Sequence, residues 1–224
     1  MFSRQKNIGS SEERLSKMLT YRFIEEAKGV FRLKVPFDNL YTSVFLVECE
    51  EGPLLVDCAT TDSDVDEVIL PALTERGLSL SNLRALVLTH SHSDHDGGRK
   101  RLLEHCPTLE VFDFHHFSSL SGVFMYPLAG HTRDSIGLYV ERCGLLISGD
   151  GLQGDGVGKY RLSLQDEEAY QNTLEKVMRD ERVCNILFSH AYEPWCCDFA
   201  FGREAVLSCL LACKESFEQR KRQS

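Results

Sequence analysis

Apolar residues fall along the chain in short runs separated by Gly, Pro, Asn and Asp, which is the punctuation of an alternating strand and helix protein. Residues 29–35 and 42–48 have the composition of strands, and Pro36, Asp38 and Asn39 supply the turn between them. Val65, Val68, Ile69 and Leu73 then recur at helical spacing after the acidic start Asp62-Ser63-Asp64, with Pro71 predicting a kink. A strand over 84–88 follows, and Gly97-Gly98 predicts a tight turn into a helical stretch from Arg99 to Cys106. Further strands are expected at 110–114, 123–126, 136–140, 145–148 and 185–188. Helices are expected at 166–178 and from about 202 to 217. Residues 1–20 are polar and read as a loose arm or a short helix. The remainder, 21–224, is expected to be one α/β domain, a size that supports a substantial core.

Composition narrows the class. The chain is 42% hydrophobic and 26% charged, and no apolar run approaches the roughly 18 residues of a membrane span. The opening M-F-S-R-Q-K-N-I-G-S-S-E-E-R lacks the apolar region of a secretory signal, so a cytoplasmic protein without membrane association is expected. A net charge of −9 argues against nucleic acid as a partner, and Arg220-Lys221-Arg222 reads as a solvated helix end. The nine cysteines are odd in number and irregular in spacing, as free thiols would be; Cys196-Cys197 and Cys209/Cys213 lack zinc-knuckle spacing.

The chemistry is concentrated in T-H-S-H-S-D-H-D-G-G, residues 89–98, directly after the apolar run Ala85-Leu86-Val87-Leu88. Two histidines at i and i+2 of an extended segment, His90 and His92, point the same way. The following turn can fold Asp94 and His95 back beside them. Three imidazoles and a carboxylate would crowd one ion, so a pair of ions is the economical expectation, with more ligands from elsewhere. His131, Asp150 and His190 are the candidates, the last two directly after strand-like runs. Adjacent His115 and His116 would lie on opposite faces of a strand and read as loop or pocket-wall residues. His105 reads as a helix C-terminal residue favoured by the dipole. Asp96 reads as a solvated turn residue, Asp113 as a strand end, and Ser91, Ser93 and Ser189 as ordinary loop residues. Asp57, ending the run Pro53-Leu54-Leu55-Val56, could accept the free N–H of a ligand histidine and so support catalysis.

At these residues the chain resembles the metallo-β-lactamase-fold hydrolases, whose H-x-H-x-D-H motif and later His, Asp and His match in type and order from about Tyr21 to His190. The resemblance implies a four-layer αββα sandwich with the site on one edge. It also implies that His90, His92 and His131 bind one metal, that Asp94, His95 and His190 bind a second, and that Asp150 bridges them. Where the family usually has Asp, one residue and then Gly, this chain has Asp57, Cys58 and Ala59. Imidazole and carboxylate ligands suit two zinc ions, with manganese or iron as alternatives. Such a pair holds a bridging hydroxide at neutral pH, with Asp94 as a further catalytic group orienting it. The β-lactam-cleaving branch often uses a Cys ligand in place of the bridging Asp, so Asp150 points elsewhere.

The stretch G-L-Q-G-D-G-V-G-K-Y-R after Asp150 is similar to the substrate loop of glyoxalase II-type thioesterases, which makes Lys159, Tyr160 and Arg161 candidates for gripping a substrate carboxylate. The helical glutathione-binding region of longer members is not expected in the residues after His190. The resemblance therefore implies a small-molecule thioester or ester substrate and hydrolysis at a binuclear centre. Lactone hydrolysis is an alternative, although Gln153 stands near where lactonases place a Tyr. Phosphodiester hydrolysis and a mononuclear iron sulfur-dioxygenase on the same scaffold are the others.

Overall fold

The computed structural model describes residues 21–37, 40–154, 163–191 and 198–223. The expected arm at 1–20, Asp38 and Asn39, Lys159, Tyr160 and Arg161, and Cys196-Cys197 lie outside them. Among the described residues, eleven strands form two sheets. The first runs β1 (Ile24–Ala27), β2 (Val30–Phe37), β3 (Leu40–Val47), β4 (Leu54–Val56), β5 (Ala85–Val87) and β6 (Val111–Phe112) in spatial order. The second has β11 (Phe199–Phe201), β10 (Asn185–Leu187), β9 (Leu145–Ile147), β8 (Ile136–Val140) and β7 (Val123–Pro127). Within the first sheet β4, β5 and β6 are parallel, and within the second β9 and β10 are parallel.

Alternation along the strands explains the layering. Leu54, Val56, Ala85 and Val87 turn towards the second sheet and meet Leu138, Leu145, Ile147 and Leu187 in one buried cluster. The intervening Leu55 and Leu86 turn the other way, onto Val65, Ile69, Leu73 and Leu102 of the first helical layer. On the second sheet Leu146, Ile186 and Phe188 pack against Tyr170, Leu174, Val177, Leu210 and Phe217 of the second helical layer. Strands buried on both faces need apolar residues at every position, which is why these segments are unbroken runs rather than alternating ones. The result is the four-layer αββα sandwich that the resemblance implied.

The helices are α1 (Asp62–Asp64), α2 (Leu70–Glu75), α3 (Ser93–Asp96), α4 (Arg99–His105), α5 (Glu167–Arg179) and α6 (Arg203–Gln223). α1 and α2 are joined by a π-helical turn, Val65–Ile69, which ends two residues before Pro71. The expected kink thus takes the form of a widened turn, which accommodates a residue that has no N–H to give. The Asp166 carboxylate caps α5 by accepting from Ala169 N at 2.9 Å.

Several sequence expectations are corrected. β6 stops at Phe112 because the Asp113 carboxylate accepts from both His115 N and His116 N, a turn that removes the chain from the sheet. Pro36 lies inside β2; β1 pairs with β2 only as far as Arg32, so the missing N–H faces no neighbouring strand there. Gly97 and Gly98 make the expected turn into α4, with right-handed helical backbone at both. A Cβ on Gly97 would come 2.1 Å from the Thr60 carbonyl oxygen, so close approach, not backbone freedom, requires the glycine. His105 is held across the surface by Asp66, 2.8 Å from its Nε2, instead of by the helix end alone. β1 and β11 lack a legible hydrophobic pattern and were not expected. No two of the seven described cysteines are bonded to each other. No helix among the described residues is long and apolar enough to cross a membrane.

Candidate metal centre

Asp57 follows β4, Thr89 and His90 follow β5, Asp150 follows β9 and His190 follows β10, so the carboxyl ends of four strands converge on one edge of the sandwich. His131 enters from the turn between β7 and β8. His92 is still extended (φ −73°, ψ 149°) and caps α3, whose single turn swings Asp94 and His95 back beside it. The structure thereby brings together all seven residues proposed as ligands. His90, His92 and His131 form one group of donor atoms, and Asp94, His95, Asp150 and His190 form a second, each group within 4.8 Å. His92 and Asp94 are the half-buried members and the other five are buried, so the site opens at those two.

The hydrogen bonds behind the imidazoles decide what their front atoms offer. His131 Nδ1 donates to Ser163 O at 2.6 Å, His190 Nδ1 to Tyr41 O at 2.8 Å, and His95 Nδ1 to Asp57 Oδ2 at 2.7 Å. A neutral imidazole that gives its proton rearward presents a lone pair forward. Yet His95 Nε2 and His190 Nε2 stand 3.2 Å apart, and His131 Nε2 lies 2.9 Å from His92 Nδ1. Asp150 adds negative charge between the groups: its Oδ1 is 3.2 Å from His190 Nε2 and 3.4 Å from His95 Nε2, while its Oδ2 is 3.7 Å from His131 Nε2. Asp94 Oδ2 is 3.2 Å from His190 Nε2. The Nε2 of His90 is buried without a hydrogen-bond partner among the described residues. Lone pairs and carboxylate oxygens facing one another in a buried space require cations between them, and this donor set fits divalent metal ions.

The titration behaviour of the bare side chains shows the same deficit. Burial alone would push His190 down, but the Asp150 carboxylate and its hydrogen bonds outweigh it and lift His190 to about 10. Burial pushes His90 down to about 2, helped by the neighbouring His95, which leaves it a neutral donor. Burial would raise Asp150, yet His190 and His95 hold it well below the usual carboxylate range. Protons would gather on His95 and His190 wherever a metal ion does not take their place.

The chain folds like several solved metallo-β-lactamases. It superposes on the enzyme of Erythrobacter litoralis with a TM-score of 0.64 and 23% identity, over 86% of this chain and 96% of that one. The FIM-1 metallo-β-lactamase of Pseudomonas aeruginosa, in its mono-zinc form, gives 0.64 and 21%, over 88% and 96%. This is the metallo-β-lactamase fold. Residues 38–111 match the sequence model of the metallo-beta-lactamase superfamily. Among curated proteins the chain resembles the hydroxyacylglutathione hydrolase of Methylobacillus flagellatus, 28% identical over 165 residues (66% of this chain, 63% of that protein). It resembles that of Synechococcus sp. at 28% over 161 residues (63% and 61%). The chain therefore spans about three-fifths of the length of these relatives.

Within this metallo-β-lactamase fold, the remaining candidates separate clearly. Asp57 is fully buried and contacts a ligand candidate directly at His95, so its place is that of an orienting group. It adopts φ 61° and Ala59 φ 58°; the position where the family usually has Gly is thus left-handed here with a side chain present, a strain of about 1–2 kcal/mol. His115 and His116 belong to the Asp113 turn and to neither donor group. Asp96 is half-buried rather than solvated, and burial raises its carboxyl above the ordinary range against the pull of Arg99. No cysteine belongs to either group among the described residues.

Sequence reasoning missed the supports at the back of the site. Tyr41, whose carbonyl holds His190, gives its hydroxyl to Asp198 at 2.5 Å, and Asp198 also meets Lys34 at 2.6 Å and the buried Arg32 at 2.9 Å. Arg32 within the apolar stretch V-F-R-L-K-V was the available signal. Burial would raise Asp198, but Lys34, Tyr41 and Arg32 together hold it below the usual range. A depressed folded value stabilises above the unfolded value of about 4 and is lost as pH falls through the folded one. Asp198→Asn should therefore destabilise the protein by about 3 kcal/mol at pH 7, with the gap to wild type closing below about pH 4, as read by urea unfolding across that range. A constant gap would contradict the ionic account.

Gly149, with φ 52°, backs onto Thr89, and a Cβ there would lie 2.6 Å from Thr89 Cβ and Oγ1. Gly149→Ala is expected to cost about 2–4 kcal/mol, from the left-handed backbone and the overlap together, in chemical denaturation.

Proposed function

We propose that the chain is a binuclear zinc hydrolase that cleaves a small thioester or ester. The observation that carries this is Asp150, whose two carboxylate oxygens face different donor groups, Oδ1 towards His95 and His190 and Oδ2 towards His131. His90, His92 and His131 would hold one ion, Asp94, His95 and His190 the other, with Asp150 between them. Two such ions, when bound, lower the pKa of water towards neutrality and polarise a substrate carbonyl. The chain supplies the rest. Ser163 O, Tyr41 O and Asp57 keep three imidazoles in the tautomer that faces the centre, and Asp94, at the open side, would orient the attacking water. The low pKa of Asp150 keeps it ionised at working pH.

The thioester reading is supported by relatives named hydroxyacylglutathione hydrolase at 28% identity. Lys159, Tyr160 and Arg161 are proposed to take a substrate carboxylate, since Ser163, close behind them in sequence, already touches His131. The test is turnover of S-lactoylglutathione, aliphatic thioesters and lactones by zinc-loaded protein, with His131→Ala as control. Hydrolysis of a thioester that disappears in the variant is expected. Turnover that survives in the variant, or oxygen uptake with persulfides in place of hydrolysis, would overturn the proposal.

A further inference from the structure

We propose that Thr89 is a positioning residue that couples the tautomers of His90 and His95 to a single buried carboxylate, Asp57, and so prepares both donor groups from one point. This rests on the metal-binding reading of those groups. Asp57 accepts from Thr89 N through Oδ1 at 2.8 Å, and through Oδ2 from Thr89 Oγ1 at 2.8 Å and His95 Nδ1 at 2.7 Å. The same hydroxyl oxygen lies 3.2 Å from His90 Nδ1.

Counting protons settles the directions. An ionised carboxylate only accepts, and a threonine hydroxyl has one proton to give. A hydrogen bond to a buried charge is about twice as strong as one to a neutral imidazole, so the proton goes to Asp57. The hydroxyl oxygen is then left with lone pairs facing His90, and His90 Nδ1 must be the donor. Its Nε2 consequently carries a lone pair, and that atom is buried at the centre with no hydrogen-bond partner among the described residues. Were the hydroxyl turned towards His90, an Nε2–H would point among the ligands and exclude a cation, and Asp57 would lose one of its three donors.

The threonine is held for this task. Its carbonyl accepts from Ile136 N at 2.9 Å, fixing it to the second sheet, and Gly149 leaves only the space its methyl and hydroxyl occupy. A β-branched side chain has few rotamers to escape into. One carboxylate thereby orients a histidine in each group: His95 directly and His90 through Thr89.

The experiment compares Thr89→Val, which keeps the shape and removes the hydroxyl, with Thr89→Ser, which keeps the hydroxyl. In metal-free protein, ring 15N shifts should show His90 protonated at Nδ1 in wild type and Thr89→Ser, and shifted towards Nε2–H in Thr89→Val. Titration with zinc alone should show the ion at the His90 group weakened about 10- to 100-fold in Thr89→Val and restored in Thr89→Ser. Thr89→Ala gives the same comparison should the valine variant not fold. An unchanged His90 tautomer without the hydroxyl, or equal zinc weakening in the serine and valine variants, would overturn the proposal. If wild type takes up no zinc while the tautomer still follows the hydroxyl, the coupling stands and the metal reading fails.

Discussion

Asp150→Ala is expected to lose bound metal and turnover together. Asp150 is the residue whose oxygens face both donor groups, and within the second group it balances two buried imidazoles at 3.2 and 3.4 Å. Without it, each group retains only its own side chains: three histidines in one, and two histidines with Asp94 in the other. The loss should exceed the roughly 10- to 100-fold that follows removal of an outer hydrogen-bond partner of a ligand. Metal content by elemental analysis should fall below the two ions expected of wild type, and thioester turnover should fall with it. Full metal content with near-normal turnover would show that Asp150 is a structural carboxylate. The fold itself should survive, because Asp150 lies beyond the end of β9 and its removal leaves Leu145, Leu146 and Ile147 in place.

Asp57→Ala is expected to have the second large effect, on stability first. The carboxylate is fully buried and accepts three hydrogen bonds, from Thr89 N, Thr89 Oγ1 and His95 Nδ1. Its removal leaves three buried donors unsatisfied at about 1–3 kcal/mol each, so a total of about 3–6 kcal/mol is expected after local relaxation. Denaturant midpoints measured on metal-free protein give the comparison without interference from ligand binding. Asp57→Asn, which keeps the size and part of the hydrogen bonding, should lose less than half as much. A loss under about 1 kcal/mol in the alanine variant would mean that water replaces the carboxylate, and that it is not the anchor of the site. Zinc affinity should also fall, because His95 would be free to rotate or change tautomer.

Much of this molecule was legible along the chain. The apolar runs 54–56, 85–88, 145–147 and 185–188 marked strands buried on both faces, and four of the proposed ligands sit within six positions after one of them. The elements that escaped had no period to detect: β1 is Ile-Glu-Glu-Ala, and β11 has only three residues, with both phenylalanines turned outward. β6 was overextended because Val111 to Phe114 is apolar enough for a strand, whereas the side chain of Asp113 ends it through a turn that composition does not encode.

The sequence by itself determined the types of candidate ligand, their order and the local turn that places His90, His92, Asp94 and His95 together, because these depend on near neighbours and on strand and helix geometry. Tertiary structure alone decided which atom of each ligand faces the centre. His190 is oriented by a carbonyl 149 positions away, His131 by one 32 away, and His95 by a carboxylate 38 away. A hydrogen bond acts over about 3 Å and takes no account of separation along the chain, so those partners exist only once the two sheets have packed face to face.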